Sequence, residues 1–123
     1  MSAPLADIGI VGGGQLARMT YQAGIALGLR IAVLAEHADD SAALIATGAV
    51  AGSPESLDDL RRFAASCEIL TFDHELVPAE HLARLEAEGA VLPPGPAALR
   101  FAHDKAHQRE GLGALGVPVP VNR

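Results

Sequence analysis

Three consecutive glycines, Gly12, Gly13 and Gly14, follow the short apolar run D-I-G-I-V (Asp7 to Val11) and open a stretch of helical periodicity. Gly12, Gly14 and Ala17 match the G-x-G-x-x-A spacing, which lets a backbone turn tightly and aim free N–H groups and the positive end of a helix at an anion. Glu36 ends the next apolar run, about 20 residues on, where a dinucleotide-binding domain keeps its ribose-binding carboxylate. These residues alone leave two readings open: an NAD site, or a glycine turn that only closes a strand onto a helix. Asp73 and Glu75 are the second feature. In extended backbone an i, i+2 pair lies on one side and His74 between them on the other, at the carboxyl edge where α/β sheets bind ligands. The plain alternative is a solvated polar loop before a helix. Metal chemistry finds no support: His103 and His107 have helical i, i+4 spacing but no third ligand, and Cys67 is the one cysteine, too few for a zinc site.

These residues need a scaffold, and the periodicity describes one. Strands are expected at Asp7 to Val11, Arg30 to Ala35, Gly48 to Ala51, Glu68 to Phe72 and Ala90 to Leu92. A helix follows the glycine turn, with Leu16, Met19, Ala23, Ile25, Ala26 and Leu27 at roughly helical spacing and Gly28 as its stop. Ser41 reads as the cap of a short helix through Ile45, and Ser53 with Pro54 as the start of another, whose Leu57, Leu60, Phe63 and Ala64 share a face. Pro78 opens a helix that buries Leu82 and Leu85 and stops at Gly89, and two further helices cover Ala97 to His103 and Asp104 to Leu115. Strands alternating with helices imply an α/β fold: a Rossmann-like three-layer domain with a mostly parallel sheet of about five strands.

Composition bounds the function. The chain has 123 residues, 50% hydrophobic and 20% charged, enough for one domain with a single core and not for a two-domain enzyme. Its net charge is −6 and aromatic residues make up 3%, which disfavours a nucleic-acid partner, since phosphate backbones need clustered cations and single strands need stacking platforms. No run reaches the ~20 apolar residues of a membrane span, and no targeting segment is legible. One unpaired cysteine suits a cytoplasmic protein.

The string G-G-G-Q-L-A-R-M (Gly12 to Met19) resembles the N-terminal signature of the ATP-grasp carboxylases of purine biosynthesis, the N5-carboxyaminoimidazole ribonucleotide synthase family. T-F-D-H-E-L-V-P (Thr71 to Pro78) is similar to the family's T-x-E-x-E-x-V, D-K-A-H-Q-R (Asp104 to Arg109) to its D-R-x-x-Q-K, and G-V-P-V-P (Gly116 to Pro120) to its linker into the ATP-grasp domain. The four matches fall in the family's order and span almost the whole chain. Asp73 stands where the family usually has Glu, Lys105 where it has Arg, and Ala17 where Gly is frequent, while Glu36 replaces the usual Asp region after the second strand; none of these removes the chemistry the motifs need.

The resemblance implies a preATP-grasp domain over residues 1–116, with 117–123 beginning the linker to an absent ATP-grasp domain. It implies the N-terminal part of an ATP-dependent carbon–nitrogen ligase that converts 5-aminoimidazole ribonucleotide, bicarbonate and ATP to N5-carboxyaminoimidazole ribonucleotide, ADP and phosphate, inactive as these residues alone. ATP and Mg²⁺ fall mainly to the absent domain, and the full-length enzyme pairs as a homodimer. Carried over residue by residue, Gly13, Gly14 and Gln15 touch the nucleotide substrate, Asp73 and Glu75 its ribose or amino group, and Lys105 the ATP; no catalytic or metal-binding residue falls here. Arg18 braces the glycine loop, Gln108 and Arg109 face the absent domain or cap their helix, and Cys67 is a core thiol. An NAD-binding module of a dehydrogenase or regulator, and a non-catalytic subunit-docking domain, stay open beside this reading.

Overall fold

The structure, a computed structural model, describes residues 4–121. Its elements run β1 (Ala6–Val11), α1 (Gln15–Ala26), β2 (Ile31–Ala35), β3 (Gly48–Ala51), α2 (Leu57–Ala65), β4 (Cys67–Phe72), α3 (Ala79–Ala87), α4 (Pro96–His103) and α5 (Lys105–Ala114). The four strands form one parallel sheet in the order β3-β2-β1-β4. Val11, the last residue of β1, stands level with Leu34 of β2 and Phe72 of β4. Helices cover both faces. On one, Ile10, Ile31 and Val33 pack against Ala17 and Tyr21 of α1 and against Ala42 and Ala46. On the other, Val11, Leu34 and Leu70 meet Leu60 and Phe63 of α2 and Leu82 and Leu85 of α3. The central strands are apolar nearly throughout because both faces are covered.

Four strands appear where about five are expected. Ala90 to Leu92 runs beside β4 but contributes one hydrogen bond, from the Leu70 N–H to the Val91 carbonyl at 2.9 Å. Pro93 and Pro94 follow at once and have no N–H to extend a ladder. Ser41 caps no helix: the segment is a series of turns, pinned by the Ala42 N–H, which donates to the Gly13 carbonyl at 2.8 Å, and by the His37 N–H, which donates to the Asp40 carboxylate at 3.0 Å. The α2 cap is Ser56, whose hydroxyl accepts from the Asp59 N–H at 3.2 Å. Ser53 and Pro54 precede the helix, with the Ser53 N–H on the Asp59 carboxylate. The expected glycine stops hold, since Gly28 and Gly89 both take positive φ after their helices. Of the linker at 117–123, Asn122 and Arg123 lie outside the described residues.

The apolar residues of α1 face outward. Leu16 and Leu27 are 61% and 75% exposed and Met19 and Ile25 are exposed as well, while Ala17, Tyr21 and Gly24 form the buried face. The helix lies so close to the sheet that a Cβ on Gly24 would collide with the Ile31 side chain. Close approach at Gly24 demands a residue without a side chain, while Tyr21 is accommodated on the inner face with its hydroxyl 3.5 Å from the Thr47 hydroxyl.

Charged ties join the elements at the surface. Arg30 donates to Asp7 through its guanidinium at 2.6 Å and its backbone N–H at 2.8 Å, and Arg61 of α2 reaches Glu88 beyond α3 at 2.6 Å. The Arg30 guanidinium holds the Asp7 carboxyl below its ordinary range, and Arg61 does the same for Glu88. A carboxyl lowered in the folded state contributes stability above the unfolded value, and that contribution disappears as pH falls through the folded one.

Two outcomes are expected. Thermal midpoints measured from pH 7 downward should fall below about pH 4, and Asp7→Asn should flatten part of that fall; an unchanged profile in the variant would remove the Asp7–Arg30 tie from the account. Phe63, 2% exposed, should cost about 3–5 kcal/mol when cut to alanine, read as a lower urea midpoint at unchanged slope.

Candidate functional site

β1 and β4 end side by side, and the residues just beyond them share one space. Gly12 follows β1 with φ of +132°, a region that side chains rarely enter. Asp73 follows β4, tied by its N–H to the Val11 carbonyl at 3.3 Å. A Cβ on Gly12 would collide with the Asp73 carboxylate, so the glycine is required twice, by its backbone and by the acid beside it. The Asp73 side chain is 9% exposed, and its Oδ1 is buried with no hydrogen-bond partner among the described residues.

The head of α1 faces the same space. Gly14 caps the helix without a side chain to accept a hydrogen bond, and no acid stands in the first turn. The N-terminal amides of a helix want an acceptor. The Asp73 Oδ2 lies 3.7 Å from the position of a Gly14 Cβ and makes no hydrogen bond to these amides. The carboxylate whose Oδ1 is buried without a donor thus brings its Oδ2 beside amides in need of an acceptor. Such a pair suits a ligand that has both, such as the hydroxyls and anionic oxygens of a sugar phosphate.

The other expected residues fall around this centre or away from it. Gln15 is exposed as the first residue of α1. Gly13 is buried beneath the 37–46 turn, its carbonyl taken by Ala42, with the Asp40 Oδ2 3.0 Å from where its Cβ would stand. Arg18 braces that turn by donating to the Ser41 carbonyl at 3.4 Å, a backbone bond rather than an ion pair. Glu75 is exposed three residues past β4. The strand ends at Phe72 and residues 73–75 bend, so the alternation expected of extended backbone does not extend to them. His74 therefore turns toward Asp73, with its Nε2 3.6 Å from Oδ1.

Glu36 is exposed at the end of β2 and its carboxylate accepts from the Ser53 hydroxyl at 3.4 Å. Lys105 opens α5, where its ammonium donates to the Ala102 carbonyl at 2.8 Å, and the preceding Asp104 caps α5 by accepting from the His107 N–H at 3.0 Å. No bond joins Lys105 to the glycine turn, and one ammonium held by a carbonyl does not make a triphosphate cradle. No group of three or more His, Cys, Asp or Glu side chains able to hold a metal ion occurs among the described residues. Cys67 lies in the core against Gly9, and burial pushes its thiol up, as befits an inert packing residue. Sequence reasoning missed Gly12 as the cradle of Asp73 and the Ala42 N–H as the clasp on the Gly13 carbonyl. The one legible sign of the turn that carries the clasp was Asp40 three residues after His37, a turn acceptor by spacing.

The chain matches the family described as ribonucleotide synthetase preATP-grasp domain over residues 5–103. It is 52% identical over 118 residues to the N5-carboxyaminoimidazole ribonucleotide synthase of Mycobacterium tuberculosis, covering 96% of this chain and 27% of that protein. To the enzyme of the same name from Corynebacterium ammoniagenes it is 45% identical over 113 residues, 92% of this chain and 27% of the other. Its structure is similar to that of N5-carboxyaminoimidazole ribonucleotide synthetase from Thermus thermophilus, with a TM-score of 0.82 at 37% identity over 92% of this chain and 31% of that one. A second similar structure is N5-carboxyaminoimidazole synthase from Aspergillus clavatus in complex with ADP and 5-aminoimidazole ribonucleotide, at TM-score 0.81 and 28% identity, covering 94% and 31% of the two chains. The chain thus spans about a quarter of the length of the curated relatives it matches.

Gly12→Ala should destabilise the fold more than Gly28→Ala, because Gly28 also has positive φ but open space around it and should cost about 1 kcal/mol. Asp73→Ala in the Gly12→Ala background should recover part of the loss, with a coupling above about 0.5 kcal/mol in urea unfolding. Additive effects would show that the carboxylate does not press on Gly12.

Proposed function

The chain belongs to the ribonucleotide synthetase preATP-grasp domain family, and from that membership we propose that it forms the N-terminal domain of an N5-carboxyaminoimidazole ribonucleotide synthase and supplies one wall of its substrate site. The whole enzyme would be an ATP-dependent ligase of purine biosynthesis acting on 5-aminoimidazole ribonucleotide, ATP and bicarbonate. The observation that carries this assignment is the meeting of Asp73 with Gly12 at the uncapped head of α1, a surface of donors and acceptors suited to a ribonucleotide. Asp73 Oδ2 and the Glu75 carboxylate accept from ribose hydroxyls or the exocyclic amine, while the amides at Gly13, Gly14 and Gln15 face anionic oxygen.

The work of these residues is to hold and orient. A ribonucleotide fixed by its sugar keeps its amine in one place while the carboxyl donor is made from ATP and bicarbonate elsewhere in the enzyme, which converts an encounter into a positioned reaction. Lys105 contributes a cation toward ATP, and Mg²⁺, when bound by the remainder of the protein, neutralises phosphate charge. The homodimer and the cytoplasmic location belong to this same proposal; the charge-poor outer face of α1 and the single buried thiol support them.

Two observations weigh against an NAD site. The 37–46 turn closes over Gly13 between the glycine turn and the end of β2, and Glu36 already accepts a hydrogen bond from Ser53.

The test is direct. In amide-resolved NMR of the 123-residue chain, 5-aminoimidazole ribonucleotide should shift Gly13, Gly14, Gln15, Asp73 and Glu75, and NAD should leave them unmoved. Glu75→Gln should weaken the ribonucleotide about tenfold, the loss of one charge-assisted hydrogen bond. ADP release with bicarbonate and the ribonucleotide should be absent. Enzyme-like turnover by these residues, or a response to NAD alone, would overturn the assignment.

A further inference from the structure

His74 has no part in the family resemblance, yet it is the side chain that faces the orphaned oxygen of the site. Its Nδ1 accepts a hydrogen bond from the Leu76 N–H at 3.1 Å. A ring nitrogen that accepts has no proton, so the neutral imidazole holds its proton on Nε2. That nitrogen stands 3.6 Å from Asp73 Oδ1, the atom that is buried and without a partner. The gap exceeds a hydrogen bond by only a few tenths of an ångström. On the opposite side, Gly12 leaves room for the carboxylate and nothing more.

Resting on the ribonucleotide site described above, we infer that His74 is a positioning residue of that site, holding Asp73 by Oδ1 so that Oδ2 is presented to the ligand. The loop fixes the tautomer, the tautomer aims one proton, and the proton occupies the oxygen that faces inward. A free carboxylate could present either oxygen, or turn both toward the amides of α1. With Oδ1 engaged, the group is limited to one orientation, and preorganised acceptors bind more tightly than those that must first be ordered. The other acids of the region, Asp40 under Gly13 and the exposed Glu75, do not contact the imidazole.

The experiment uses the labelled 123-residue chain and two variants. His74→Asn retains an acceptor for the Leu76 N–H in the manner of an Asx turn but places nothing at Nε2, whereas His74→Gln extends an amide donor to that position. Nitrogen-detected spectra of the unmodified chain should show His74 with its proton on Nε2. The Asp73 carboxyl-carbon resonance should move in His74→Asn and return toward its original place in His74→Gln. The ribonucleotide should bind His74→Asn about fivefold more weakly and His74→Gln less so. A proton on Nδ1, or an Asp73 resonance indifferent to His74→Asn, would overturn the inference, and the first of these needs no variant to fold. If Asp73 responds to His74 but the ribonucleotide moves no resonance, the site assignment fails and the pairing of the two side chains is upheld. If the ribonucleotide binds while Asp73 ignores His74, the assignment stands and the positioning role falls.

Discussion

The ends of β1 and β4 impose the constraint on which the site depends. Val11 and Phe72 are level across the sheet, so the residues that follow must share a volume fit for one side chain. Gly12 gives up that volume and Asp73 takes it. From this exchange come the sharp exit of the chain into α1, the burial of a carboxylate oxygen, and the nearness of an acid to a helix head that has no cap of its own. Exchanging the two residue types between these positions would not serve, since the first needs positive φ and the second needs a carboxylate.

The same closeness governs the layer above. α1 starts at once after the glycines and descends on the sheet over Ala17, Tyr21 and Gly24. Its inner face is taken by these three residues, which leaves Leu16, Met19 and Leu27 outside. The price of a tight glycine turn is therefore an apolar helix face in water, on a helix whose one charged residue, Arg18, is committed to the Ser41 carbonyl.

Periodicity made most of the fold legible. Strand β3, four residues long, and the boundaries of α3, α4 and α5 lie within a residue or two of expectation, because glycine and proline mark their ends. The misses involve hydrogen bonds that the local pattern does not announce. Ala42 gives its N–H to Gly13, which ties the 37–46 turns to the glycine loop, and Ser53 gives its own to Asp59, leaving Ser56 as the cap. At the site, residue types singled out Asp73 and the glycines as candidates, but not their collision, which depends on how β1 and β4 register. The orientation of His74 was illegible for a related reason: alternation applies to a strand, and the strand ends at Phe72.

The electrostatics of the domain favour its fold. Its perturbed carboxyls, Asp7, Asp59, Glu88 and Asp104, are all lowered by hydrogen bonds or paired cations, the direction that stabilises a fold and removes a proton donor. What is unusual about Asp73 is geometric: one oxygen is enclosed and one is left to serve. A group held in that way is fixed in place by Gly12 and by the Val11 carbonyl, and any ligand it meets must come to it.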